Sequence, residues 1–263
     1  MSQQVATWDP LKYVNEVPSP QSILRVKKDI ADFHANPPEG ILISPEQDDV
    51  TKVHALILGP TGTPYEGGFF QFFMKFPQDY PISPPRVRMV TTDAGRVSFN
   101  PNLYACGKVC LSILGTWPGP AWSPAQGLES VLISIQSLMN ENPYHNEPAF
   151  FMNEKSPGDS GRYNDFVKHE TIRVAVCGMV QGALRDNPEC PRLFRERILK
   201  SFAESYTKYE DIIKKNLHLT GTAMLHLCVY KEAFQYETLL TELKELNEKV
   251  KNKFEASADQ ENH

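Results

Sequence analysis

No run in this sequence is long or apolar enough to span a bilayer, and its opening, MSQQVATWDP, lacks the charged-then-apolar pattern of a secretory signal. A membrane protein and an exported one are both unexpected. There is no basic excess either: 27 Lys and Arg against 32 Asp and Glu leave a net charge of −5, the wrong sign for a non-specific binder of phosphates. Nucleic acid is therefore not an expected partner. Cysteine is sparse and odd in number, at Cys106, Cys110, Cys177, Cys190 and Cys228. Such a set gives no disulfide framework and fits a reducing compartment, so the chain is expected to be soluble and cytoplasmic, with the nucleus as a further location. Cys106 and Cys110 could supply half of a zinc site, but no comparable Cys or His pair completes it. Repeats and low-complexity tracts are absent.

What is present is a chain of 263 residues with 41% hydrophobic side chains, enough for a substantial core. The length exceeds the commonest domain size, which predicts one domain with an appendage, or two domains. Ser19 before Pro20 is a helix start, and Ile23, Val26, Ile30 and Phe33 then recur on one face, leaving Arg25, Lys27 and Lys28 outside. Residues 53–58, 69–76 and 87–90 are β-rich and separated by turn chemistry, which predicts an antiparallel meander of three or four strands. The prolines Pro81, Pro84 and Pro85 remove ladder donors, so residues 80–85 form a rigid surface loop.

Leu128, Val131, Leu132, Ile135, Leu138 and Met139 trace a helical stripe for a central helix lying on the sheet, and Tyr163, Phe166, Val167 and Val174 mark the next helix. Cys177 lies in an apolar helical run and Cys228 in another; both are read as small core residues. Beyond residue 190, Phe194, Ile198, Phe202, Tyr209 and Ile213 predict a helix after Pro191, and Leu239, Leu243, Leu246 and Val250 a long charged one. Residues 220–236 carry aromatics and Met224 that are expected to bury against the rest. The organisation read from this is an N-terminal arm at 1–18, a core domain at 19–186, a helical extension at 187–254 and a polar, frayed tail at 255–263.

The chemistry centres on residues 99–111, FNPNLYACGKVCL. A thiol is the strongest ready-made nucleophile at neutral pH, and an amide can donate a hydrogen bond to the oxyanion formed when an acyl group arrives or leaves. Cys110 and Asn102 thus suggest acyl transfer. The run resembles the active-site signature of ubiquitin-conjugating enzymes, the E2 class, in which a His-Pro-Asn triplet precedes the thioester-forming cysteine by eight positions; here Asn102 and Cys110 are eight apart. Further segments match that family in order: Gly59-Pro60, residues 64–70 and 76–85 upstream, then residues 122–125, 131–138 and Asn142-Pro143 downstream.

The resemblance covers about residues 19–180 and implies an α+β fold, a four-stranded meander packed on helices, here with a C-terminal helical extension. It implies Cys110 as the thioester nucleophile, Asn102 as oxyanion stabiliser or loop brace, and no bound cofactor, ATP being consumed upstream by the activating enzyme. Partners so implied are ubiquitin, an activating enzyme, RING- or HECT-type ligases and substrate proteins. The basic face of the first helix, with Arg25, Lys27 and Lys28, becomes a docking candidate. So do the loops with Pro81 and Ile82 and with Ser123, Pro124 and Ala125.

This chain departs from the family pattern in three places. Asn100 replaces the histidine of the triplet, and an amide can take over its loop-bracing bonds. The acid that usually follows the Asn-Pro after the central helix is absent, leaving His145 or Glu147 as gate candidates. Residues 115–121 form a stiff loop with Trp117 close to Cys110 that is about four residues longer than the minimal family spacing, either a surface turn or a restriction on what reaches the thiol. Together with the long tail, these departures resemble a branch of the family that takes ubiquitin from the alternative activating enzyme, which also handles a tandem ubiquitin-like modifier. The competing readings are a catalytically inactive ubiquitin-binding variant and a scaffold.

Overall fold

A computed structural model describes residues 7–150, 153–226 and 229–261. The first helix, α1 (Pro20–Ala35), begins as its sequence dictates: Ser19 caps it by accepting from the Ser22 N–H, and Pro20 occupies the first turn, where no donor is needed. Its inner face buries Ser22, Val26, Asp29 and Phe33. Four strands follow as a simple antiparallel meander, β1 (Ile41–Pro45), β2 (Lys52–Leu58), β3 (Phe69–Lys75) and β4 (Arg86–Met89). In register, Ala55 faces both Ile43 and Phe72, and Phe73 faces Arg88.

Strand β3 is buried at every residue, against the alternation of a one-sided sheet. Both of its faces are covered, because helices from the C-terminal half lie on it. The central helix α2 (Leu128–Leu138) turns Leu128, Val131, Leu132 and Ile135 inward. Helix α3 (Asp159–Glu170) runs without a break into a π-helical stretch, Thr171–Gly178, and then α4 (Met179–Leu184). Cys177 is fully buried within the π stretch, as its apolar surroundings required. Cys228 lies outside the described residues.

The extension consists of α5 (Arg192–Asn216), a small hairpin of β5 (Ala223–His226) and β6 (Val229–Ala233), and α6 (Tyr236–Glu261). All of the apolar positions expected on the two long helices are buried, from Phe194 to Ile213 and from Leu239 to Val250. They join one continuous hydrophobic cluster with Val26, Phe72 and Leu132. Among the described residues the extension is therefore part of the same core as the sheet. Polar locks reinforce the join. His169 is buried on α3, its Nδ1 2.8 Å from Glu170 Oε1, while its Nε2 accepts from the Gln235 N–H at 3.1 Å. The Tyr209 hydroxyl donates to the Gly67 carbonyl at 2.8 Å. Backbone helix continues to Glu261, past residue 255, where the polar composition suggested fraying.

Candidate active site

The segment around Cys110 is a tight hairpin laid on the edge of β4. The Cys110 N–H donates to the Asn102 carbonyl at 2.8 Å, Leu103 bridges Val109, and the Tyr104 N–H donates to the Lys108 carbonyl at 3.0 Å. Gly107 makes the turn possible. Its φ is +90°, and a Cβ there would stand 2.8 Å from both Arg88 Cγ and the Met89 carbonyl. Alternation along paired strands places Asn102, Tyr104, Lys108 and Cys110 on one face.

On that face the Asn102 Nδ2 donates to the Cys110 carbonyl at 3.0 Å. Of the two roles open to Asn102, the resting structure displays the loop brace. Asn100 braces in turn, as expected of an amide in the histidine's place: its Nδ2 reaches the Tyr65 hydroxyl at 3.0 Å and the Leu138 carbonyl at 2.8 Å, and its Oδ1 accepts from the Asn102 N–H at 2.9 Å.

Cys110 is 1% exposed. Burial pushes its thiol above the ordinary cysteine range, while the Tyr104 hydroxyl in hydrogen-bonding reach and the Lys108 charge work in the opposite direction. Tyr104 is 37% exposed, so it stands at the mouth of the site with its ring beneath the Lys108 ammonium, 5.9 Å away. Sequence reasoning passed over Tyr104. The signal that could have found it is its even spacing from Asn102 and Cys110 across a glycine-closed turn. The exposed Cys106 sits at the hairpin tip, and among the described residues no group of three His, Cys, Asp or Glu side chains could hold a metal.

The two gate candidates separate. His145 is engaged in its own turn, Nδ1 lying 2.7 Å from the Phe150 carbonyl and the ring edge-on to Tyr144. Glu147 is near enough to Tyr104 for its charge to raise the phenol's pKa, after burial and Cys110. Behind the hairpin, the His226 Nε2 from the extension lies 3.2 Å from the Ser98 carbonyl, and the Ser98 Oγ accepts from the Ala105 N–H at 2.8 Å.

The docking candidates are corrected in one respect. Arg25 is not a free surface charge. Its Nε donates to Asp29 Oδ1 at 2.8 Å, and its two Nη atoms donate to the Pro124 and Gln126 carbonyls at 2.8 and 2.6 Å. A planar guanidinium with five donors suits such bridging, so Arg25 fastens α1 to the loop of Ser123, Pro124 and Ala125. Asp29 extends the join by accepting from the Tyr80 hydroxyl and from the Leu128 N–H at the start of α2. Lys28 pairs with Asp32 on the surface, Lys27 is exposed, and Ile82 is 68% exposed in the proline loop. The Pro81 carbonyl accepts from Trp122 Nε1 at 2.8 Å, which ties the two loops together.

Replacing Asp29 by Ala leaves Tyr80, the Leu128 N–H and Arg25 without their shared acceptor. We expect a loss of about 3 kcal/mol in stability, because a broken buried ion pair strands its partners. Denaturant titration measures it, and a loss within about 0.5 kcal/mol would show that the join is replaceable by water.

A buried thiol thus faces an amide across a rigid hairpin, on a meander covered by helices, which is the arrangement the acyl-transfer reading asks for. The family model described as ubiquitin-conjugating enzyme matches residues 25–171. Ubiquitin-conjugating enzyme E2 Z of Danio rerio is 52% identical over 258 residues, covering 96% of this chain and 77% of that protein. Ubiquitin-conjugating enzyme E2 Z of Homo sapiens is 53% identical over 247 residues, covering 92% and 68%. A dual E2 ubiquitin-conjugating enzyme/E3 ubiquitin-protein ligase of Homo sapiens, BIRC6, is 42% identical over 176 residues, covering 64% of this chain and 3% of that protein.

The chain belongs to the ubiquitin-conjugating enzyme family. It is an E2 enzyme, a transferase that receives ubiquitin as a thioester from an activating enzyme and passes it to a substrate lysine or a ligase. Neither the fold nor the comparisons support the inactive or scaffold alternatives. Among the described residues no helix is long and apolar enough to cross a membrane.

Proposed function

We propose that Cys110 is the residue that carries ubiquitin and that the hairpin face of Asn102, Tyr104 and Lys108 is its catalytic setting. The observation that supports this most is the double link of Asn102 to Cys110, carbonyl to N–H at 2.8 Å and Nδ2 to carbonyl at 3.0 Å. In loading, the Cys110 thiolate attacks the activating enzyme's thioester carbon, and that enzyme's thiolate leaves. In discharge, a neutral lysine amine attacks the Cys110 thioester, the Cys110 sulfur leaves, and the amine loses a proton to solvent or a nearby acceptor. Glu147, through its proximity to Tyr104, is better placed than His145 to serve the incoming amine.

Ile82 offers an apolar contact to RING-type ligases beside the loop of Ser123 to Ala125, a surface whose shape Arg25 maintains. The activating partner is the alternative ubiquitin-activating enzyme, and its tandem ubiquitin-like modifier is a second cargo; the resemblance of the whole chain to E2 Z proteins supports this reading. A charging assay with each of the two ubiquitin-activating enzymes, ATP and either modifier tests it. The expected result is a reductant-sensitive adduct formed much faster with the alternative enzyme; equal loading by both, or loading by the other alone, overturns the choice of partner.

A further inference from the structure

The inserted loop at 115–121 carries a hydroxyl that reaches across the backbone of the nucleophile. Thr116 Oγ1 lies 2.6 Å from the Val109 carbonyl, 3.0 Å from the Leu111 N–H nitrogen and 3.2 Å from the Leu111 carbonyl. A hydroxyl has one proton to give and lone pairs with which to accept. The shortest contact takes the proton, so Thr116 donates to Val109 and accepts from Leu111. The Leu111 carbonyl is served by the backbone N–H groups of Leu114 at 3.1 Å and Thr116 at 3.2 Å. From the other strand, Asn102 holds both the N–H and the carbonyl of Cys110. Every backbone polar group from the Val109 carbonyl to the Leu111 carbonyl thus has a protein partner.

Thr116 is itself anchored. The short turn Ser112–Leu114 ends at Gly115, whose N–H returns to the Ser112 carbonyl at 2.9 Å. Further along, Gly119 passes so close to Ser112 that a Cβ would stand 2.9 Å from the Ser112 Cβ. The insertion therefore folds back on the residues just after Cys110, and its polar product is the Thr116 bridge.

We propose that Thr116 is a positioning residue for the transfer reaction, clamping the peptide units on either side of Cys110 so that the thiol, and later its acyl carbon, points along the attack direction. The proposal rests on the reading of Cys110 as the acceptor. A clamp that sets alignment inside the bound complex acts on the rate at saturation and leaves docking affinity alone. It also has a signature in the free enzyme. Burial holds the Cys110 thiol above its ordinary range, so a loosened strand that admits water moves the thiol back down.

The test uses the full chain with Thr116→Val, which keeps the shape and removes the hydroxyl, Thr116→Ala as a second variant, and Thr116→Ser, which restores the hydroxyl. Single-turnover loading and lysine discharge are measured at varied partner concentration, with iodoacetamide alkylation of Cys110 followed against pH. Val and Ala are expected to slow transfer at saturation by roughly tenfold or more, a typical consequence of misalignment, without changing the half-saturating concentration. Their alkylation midpoint should fall, and Ser should behave as the wild type.

Wild-type transfer by Val and Ala with an unmoved alkylation midpoint overturns the proposal, as does a Ser variant no better than Val. If Val melts below the assay temperature, Ala and the alkylation profile at lower temperature decide in the same way. Cys110→Ala is run alongside: an adduct surviving there refutes the assignment of Cys110, whereas its loss together with unimpaired Thr116 variants refutes only the clamp.

Discussion

Cys110→Ala is expected to abolish the reductant-sensitive ubiquitin adduct, while Cys106→Ala forms it at the normal rate. The other described thiols have no comparable setting. Cys106 stands exposed at the hairpin tip, without an amide across from it. Cys190 is buried and its thiol is pushed up to about 11, and burial drives that of Cys177 higher still. Cys110→Ser should instead accumulate a reductant-resistant oxyester, slowly, because an alcohol is the poorer nucleophile. Loading should also depend on pH in a definite sense. The thiolate is the attacking form and Cys110 sits above the ordinary cysteine range, so the loading rate rises through neutral pH and keeps rising until that elevated pKa is passed. An adduct that persists in Cys110→Ala sinks the assignment.

Much of this arrangement was legible in the sequence because it rests on local rules. Ser19-Pro20 starts a helix whatever surrounds it, the period-3.6 stripes of α5 and α6 name their buried residues correctly and that of α2 does so except at the half-buried Leu138, and the three prolines of the 80–85 loop forbid a strand. The spacing of Asn102 from Cys110 is a hairpin register written as a residue count. What could not be read depends on pairs distant along the chain. Arg25 looks like a solvated helix charge until the fold brings Pro124 and Gln126 to it. Periodicity says that β3 is apolar but not that both its faces are covered by elements a hundred residues away.

The departures from the family pattern around Cys110 divide in the same way. Asn100 could be expected to brace, since an amide offers both donors and an acceptor, and it does so at four contacts. The competition between His145 and Glu147 could not be resolved from order alone. A 3-10 turn at Pro143–Asn146 directs His145 to the Phe150 carbonyl, while the charge of Glu147 acts on the Tyr104 phenol. The insertion with Trp117 is legible as extra length near the thiol. Its polar effect is not, because a single threonine among glycine and proline residues carries no periodic signal.

Asn102→Ala is expected to slow both loading and discharge, with discharge reduced more. The reason for the first part is geometric: the Nδ2 bond to the Cys110 carbonyl at 3.0 Å exists in the resting enzyme, so its loss loosens the hairpin before any acyl group arrives, at a cost of about 1 kcal/mol to stability. The reason for the second is electronic. The amide carries two donors and only one is spent on the carbonyl, so the other can meet the oxyanion, and removing such a donor typically costs ~3 kcal/mol, about a hundredfold, where charge development limits the rate.

Aminolysis is the harder step, so the larger loss falls there. Asn102→Asp should be worse than alanine in one further respect: a carboxylate facing the Cys110 carbonyl offers no donor, and its negative charge raises the thiol pKa, shifting the loading profile to higher pH. Single-turnover kinetics of both steps, with a melting curve for each variant, separate the contributions. Equal slowing of loading and discharge with a lowered melting temperature reduces Asn102 to a brace, and an alanine variant that loads and discharges normally removes it from the mechanism.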